Sequence, residues 1–185
     1  MRYITDIDKA AALLRMGGVL AWPTEAVWGL GCDPSNADAL RRLLAIKRRP
    51  AEKGLILVAA DFDQLAPWLL PLEDSVRTRV MQTWPGPHTW LWPARPEVSP
   101  LLRGAHDTLA VRVSAHALTA ALCRAAGTAL VSTSANPSDR PPAMSAASVS
   151  IELGSRLDGI LAGELGGQAA PTRIRDARSG NIVRP

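Results

Sequence analysis

An alanine-rich segment over residues 115–126, the glycine Gly127, the apolar run Thr128-Ala129-Leu130-Val131 and the stretch Ser132-Thr133-Ser134-Ala135-Asn136 follow one another without a break. A helix closed by glycine that hands over at once to a short apolar strand buries both apolar faces by packing helix on sheet, so this unit points to an α/β architecture. The strand then surfaces into three hydroxyls and a carboxamide. In open α/β sheets ligands sit at that point. Small polar side chains and free backbone N–H groups there can hold phosphate or carboxylate. A plain Ser/Thr turn with an N-cap is the competing reading, and other parts of the chain have to decide between them.

Strands and helices stay interleaved along the 185 residues. Thr5 is placed to cap a helix over 6–16 that Gly17 stops. Val19-Leu20-Ala21-Trp22 is a short strand ended by Pro23. Asn36 caps a second helix with Ala37, Leu40, Leu43 and Leu44 on one face, and Pro50 forces its end near Arg49. Residues 54–58 make a buried strand, 61–68 and 73–83 are helical, and 88–92 and 109–113 are strands. Further on, 145–153 is helical, and Ile160-Leu161 and Arg173-Ile174-Arg175 are brief strands. No repeat or linker interrupts the pattern, which predicts one domain over 1–185. The irregular connections after residue 84 predict a mixed, strongly twisted sheet with flanking helices and not a regular doubly wound one.

No apolar run approaches the roughly 20 residues of a membrane span, and Met1–Asp6 lacks the apolar core of a signal peptide. A cytoplasmic protein without membrane contact is expected. Cys32 and Cys123 are the only cysteines and form no Cys-x-x-Cys pair, which argues against structural zinc and against a disulfide. Cys123 falls on the apolar side of its helix; Cys32, after a glycine-rich turn, is expected to be partly exposed. The net charge of +4 permits an anionic substrate or a polyanionic partner. The basic residues cluster locally at Arg41-Arg42 and Lys47-Arg48-Arg49, which favours a site over a nucleic-acid tail.

Four further segments carry chemistry. Pro23-Thr24-Glu25-Ala26-Val27-Trp28-Gly29-Leu30-Gly31 leaves the first strand, with Gly29 and Gly31 allowing a tight return. Thr24 and Glu25 sit at that strand end, where a turn with a solvated Glu is the competing reading. Lys47 and Arg49 end the second helix. Cations there complement the helix dipole, or both point into one cleft and clamp phosphates, with Lys53 adding to them. Pro85-Gly86-Pro87-His88-Thr89 is mainly a structural turn. Arg112 lies inside an apolar strand that begins near Thr108, and a buried charge needs a partner, either a structural carboxylate or a carboxylate ligand. There is no Gly-x-Ser-x-Gly, no Walker loop and no metal-ligand spacing. Hydroxyls, amides and cations suit binding and positioning of anions more than covalent catalysis.

Taken in order, Pro-Thr-Glu with its Gly-Leu-Gly, Lys47-x-Arg49-Pro50, Pro85-Gly86-Pro87-x-Thr89 and Ser132-Thr133-Ser134-Ala135-Asn136 resemble the YrdC/Sua5 family, specifically its short TsaC-type threonylcarbamoyl-AMP synthases. The Thr108/Arg112 strand and Pro171-Thr172-Arg173-Ile174-Arg175-Asp176 also fit. The resemblance implies a single YrdC-like domain around a basic concave cleft. It implies a nucleotidyltransferase that forms threonylcarbamoyl-AMP and pyrophosphate from L-threonine, bicarbonate and ATP, with Mg2+ accompanying ATP. The product serves N6-threonylcarbamoyladenosine formation at position 37 of tRNAs reading ANN codons, through a partner transferase complex, with weak RNA contact as a further expectation. By the same likeness, Lys47 and Arg49 are the catalytic cations on the ATP phosphates. Arg112, Thr24 and Ser132 take threonine and bicarbonate; Thr108, Ser134, Asn136 and Arg173 take the nucleotide. The sequence departs from the family pattern at Trp28, where Tyr is usual, keeping an aromatic wall without the hydroxyl. It departs also at Asp139, where Gly is frequent. Two other readings stay open: an RNA-binding module, which the lack of an RNA-binding motif and the scarcity of aromatics disfavour, and a paralogue with another carbamoyl or nucleotide ligand.

Overall fold

In the computed structural model, which describes residues 2–138, 140–170 and 172–184, the strands are β1 (Tyr3–Ile4), β2 (Leu20–Pro23), β3 (Trp28–Gly31), β4 (Ile56–Ala59), β5 (His88–Pro93), β6 (Thr108–Val113), β7 (Leu130–Val131), β8 (Thr133–Ser134), β9 (Gly159–Leu161), β10 (Arg173–Asp176) and β11 (Ile182–Arg184). The helices are α1 (Ile7–Arg15), α2 (Ala37–Lys47), α3 (Asp74–Met81), α4 (Pro100–Arg103), α5 (Ala117–Ala126) and α6 (Ala146–Leu153). Among the described residues no helix is long and apolar enough to cross a membrane.

The single twisted sheet expected from sequence is two mixed sheets. One runs β1-β9-β2-β3-β8 and the other β11-β10-β5-β6-β4-β7. The reason lies in the polar segment after α5. β7 pairs antiparallel with β4, β8 pairs antiparallel with β3, and only Ser132 separates them. The backbone crosses from one sheet to the other at that residue. Val131 N donates to Cys32 O at 3.0 Å and Ser132 N to Ile56 O at 2.9 Å, which ties the crossing to both sheets. A Cβ on Gly31 would stand 1.8 Å from Val131 O and 2.3 Å from Trp22 Cη2, so β3 can approach β7 this closely only as glycine.

Two apolar clusters hold the frame. α1 and α5 pack side by side over Leu20, Trp22, Val58 and Leu130. The larger cluster joins α2, through Leu40, Leu43 and Leu44, to Leu57, Trp90, Trp92 and Val111 of the second sheet. The caps follow the sequence with small shifts. Asp6, not Thr5, caps α1, its carboxylate accepting from Asp8 N at 2.9 Å and Lys9 N at 3.2 Å. Asn36 caps α2 by accepting from Ala39 N at 2.9 Å. Gly127 closes α5 in the left-handed region at φ 77°.

The helix expected over 61–68 is one 3-10 turn, Ala66–Trp68. Gln64 N donates to Asp61 Oδ1 and Ala60 N to Gln64 Oε1, local bonds that compete with a helix. Cys32, expected to be partly exposed, is fully buried, because it follows β3 into the seam between the sheets. Cys123 is buried as expected; burial pushes both thiols up to about 12.

Candidate functional site

A cleft opens along the seam where Ser132 passes between the sheets. It has two adjoining lobes of about 540 Å³ and about 370 Å³ that share Arg49, Leu55, Ile56 and Arg184. The larger lobe is lined by Thr24, Arg112, Ser132, Ser134 and Arg173, the smaller by Lys53 and Thr108. β6 supplies both lobes through its alternation: Thr108, Ala110 and Arg112 face the cleft, and Leu109, Val111 and Val113 enter the core.

Thr24 and Ser132 come together from different elements. Thr24 stands at the end of β2, its hydroxyl donating to Val27 O at 2.7 Å. A Cβ on Gly29 would lie 3.0 Å from Thr24 Cγ2 and 3.1 Å from Ser132 Oγ. Gly29 therefore leaves open the space that the two hydroxyl-bearing residues flank.

Arg112 meets a protein carboxylate, one of the two partners its buried position allowed. Its Nη2 lies 3.2 Å from Glu25 Oε2, and both residues are under 10% exposed. The approach is close but misaligned for a hydrogen bond. Among the described residues Glu25 Oε2 and Arg112 Nε have no hydrogen-bond partner, while Glu25 Oε1 accepts from Ser114 Oγ at 2.7 Å. Burial draws the Arg112 pKa downward and the Glu25 charge opposes that; an arginine stays protonated regardless.

Lys47 and Arg49 part company. Arg48 is left-handed at φ 49°, the one non-glycine residue with positive φ among the described residues. The chain reverses there, with Arg49 N bonded back to Leu44 O at 3.0 Å. Arg49 faces the cleft, braced by bonds from Nε and Nη2 to Gly54 O at 3.1 and 2.9 Å. Burial, and then the nearby Arg184, pull its pKa down. Lys47 lines neither lobe. It is 2% exposed, and its ammonium donates to the carbonyl oxygens of Ser134 and Asn136, the latter at 2.8 Å. Burial, followed by the repulsion of Arg49, lowers it to about 8.

Asn136 is buried behind the cleft. Its amide donates to Pro137 O at 2.8 Å and to Arg140 O, and its Oδ1 has no partner among the described residues. Trp28, read as an aromatic wall, belongs to the core and lines neither lobe. The Pro85–Thr89 turn is structural, as expected: Trp84 Nε1 donates to His88 O at 2.7 Å, and the Thr89 and Thr172 hydroxyls meet at 2.8 Å. Asp139 and Pro171 lie outside the described residues.

Sequence reasoning missed Arg184. It reaches both lobes from β11, where one arginine among Arg173, Arg175, Arg178 and Arg184 carries nothing in the sequence to single it out. The residue is open to solvent, yet its charged end is desolvated enough against the cleft for its pKa to fall.

A family model described as Sua5_yciO_yrdC, telomere recombination, matches residues 12–185. A threonylcarbamoyl-AMP synthase of Xanthomonas campestris pv. campestris (strain B100) is 53% identical over 186 residues and aligns over 100% of both chains. One from Halorhodospira halophila is 57% identical over 178 residues, covering 96% of this chain and 93% of that one. Among solved structures, P. abyssi Sua5 complexed with L-threonine superposes with a TM-score of 0.91 at 28% identity, covering 100% of this chain, which spans 56% of the longer protein. E. coli YciO superposes with a TM-score of 0.83 at 25% identity, covering 99% of this chain and 92% of its own.

Proposed function

The chain belongs to the Sua5/YciO/YrdC family, and from that membership and the two-lobed cleft we infer that it is a threonylcarbamoyl-AMP synthase of tRNA N6-threonylcarbamoyladenosine formation. Residues 1–185 act as one YrdC-like catalytic domain of the cytoplasm. The observation that carries the reading is the convergence of Arg49, Arg112, Arg173 and Arg184 with Thr24, Ser132 and Ser134 on one seam, without an acidic residue in the lining of either lobe among the described residues. This supports a basic cleft.

The chemistry needs such a lining. The threonine amine takes up CO2 from bicarbonate, with loss of water, to give a carbamate. A carbamate oxygen then bonds to the α-phosphorus of ATP, the bond from that phosphorus to the β-bridging oxygen breaks, and pyrophosphate leaves with the electron pair. All participants are anionic, so fixed cations and N–H donors stabilise the transition state more than any proton transfer would. Arg112 takes the threonine carboxylate, with Thr24 and Ser132 beside it. Arg49 takes ATP phosphates, joined by Arg184. Ser134, Thr108 and Arg173 serve the nucleotide, and Asn136 shapes their loop. Mg2+ enters as part of the ATP substrate, since a hard cation keeps water and phosphate oxygens as ligands.

The product goes to a transferase complex acting on tRNA. A dedicated RNA reader is disfavoured, because stacking on bases needs exposed aromatic rings, and among the described residues Tyr3 and His106 are the exposed ones. The test is pyrophosphate release by the purified chain. Release should require threonine, bicarbonate and ATP together. Equal rates with threonine omitted overturn the synthase reading. Tight RNA binding with a steep salt slope and no threonine-dependent turnover would favour the RNA module instead.

A further inference from the structure

We propose that Lys47 is a positioning residue, which staples the Ser132–Ser138 loop into its binding shape and makes no contact with ATP. What the loop binds rests on the synthase reading; the staple itself does not.

Lys47 holds the loop at both ends of its own structure. Its ammonium donates to Ser134 O and to Asn136 O. Its main-chain carbonyl accepts from Ser138 N at 2.9 Å and from Ser138 Oγ at 3.1 Å. One residue at the end of α2 thereby fixes three positions of the loop that carries Ser132 and Ser134 into the larger lobe. A fully buried ammonium is costly unless its donors are used, and here two carbonyl dipoles use them with no carboxylate in the set.

The left-handed turn at Arg48 creates this arrangement. Two cations spaced by one residue in an extended chain would point the same way. The reversal at φ 49° sends Lys47 inward to the loop and Arg49 outward to the cleft. The lowered pKa of Lys47 agrees with a group that has left solvent for a carbonyl cage. Asn136 completes the device from the other side, its amide tied to Pro137 O and Arg140 O.

The experiment compares the full chain with Lys47→Met, which keeps an apolar stem and removes the donors, and with Ser138→Ala, which removes only the hydroxyl bond to Lys47 O. Amide hydrogen exchange is read over residues 132–138 and over the rest of the chain. Dissociation constants for ATP and for L-threonine are read by calorimetry, and melting temperatures in parallel. Lys47→Met should speed exchange in 132–138 while the rest keeps its protection. It should weaken both ligands by comparable factors, each about tenfold or more, because the loop presents groups to both. Ser138→Ala should show the same pattern in smaller measure.

Unchanged exchange in 132–138 overturns the staple. Loss of ATP affinity alone, with threonine binding within about twofold, overturns it in favour of a direct phosphate contact. If Lys47→Met does not fold, Ser138→Ala decides, and unchanged exchange there overturns the proposal. A wild-type chain that binds neither ligand sinks the synthase reading, while the exchange data still decide the staple.

Discussion

At Arg112 a residue 7% exposed places a guanidinium within an apolar strand, with Glu25 its close counter-charge at 3.2 Å. Such a pair gains little over two apolar residues, yet removing one partner leaves a desolvated charge and costs about 3–5 kcal/mol. Glu25→Gln keeps the acceptor for Ser114 and removes the charge, so it should lower unfolding free energy in urea by about 3 kcal/mol. A loss below about 0.5 kcal/mol would mean that water, and not Glu25, solvates Arg112. The sequence flags Arg112, because a cation inside an alternating apolar strand is conspicuous. It leaves the partner open, because Glu25 sits in a turn with nothing local to bury it. The same limit applies at Lys47-x-Arg49. The spacing marks both cations, but a left-handed Arg48 carries no sequence signature, so their separate duties emerge only from the backbone.

The elements with capped ends and clear periodicity, such as α2 and α5, are legible to within a residue or two. β3 is not. Gly29 and Gly31 look like the hinges of a tight return, whereas they are strand residues that make room for the neighbouring backbone and for the cleft. The switch of the chain between sheets at Ser132 depends on Gly31, since Val131 O occupies the space of any Cβ. Overpacking at such a contact moves backbone and not a flexible side chain, and costs about 3 kcal/mol or more. Gly31→Ala should therefore lower stability by at least that amount. Gly127→Ala is the comparison: nothing lies within 4 Å of its added methyl, and only the left-handed φ of 77° opposes it, at about 1 kcal/mol. Equal urea midpoints for the two variants would show that the seam can open without loss.

Across the whole molecule, the cleft draws Thr24 from the first strands, Arg49 from the end of α2, Arg112 and Ser132 from the middle of the chain and Arg184 from its last strand. The +4 charge and its local clustering indicate an anion site, but the closure of β11 against β10 decides which distant arginine joins Arg49. Burial and then Arg184 lower the Arg49 pKa, so the cleft holds two like charges in partly desolvated positions. That arrangement weakens the unliganded fold and is relieved by a polyanion, the usual trade of stability for function at a binding site. Arg184→Gln separates these effects. It should leave urea stability unchanged or slightly raised, because Arg49 loses a repulsive neighbour and β11 keeps its pairing with β10. It should also weaken ATP by about tenfold and flatten the salt dependence of ATP binding, as one charge-assisted contact is lost. Calorimetry at two salt concentrations together with a urea titration makes the comparison, and ATP affinity within twofold of wild type would remove Arg184 from the phosphate site.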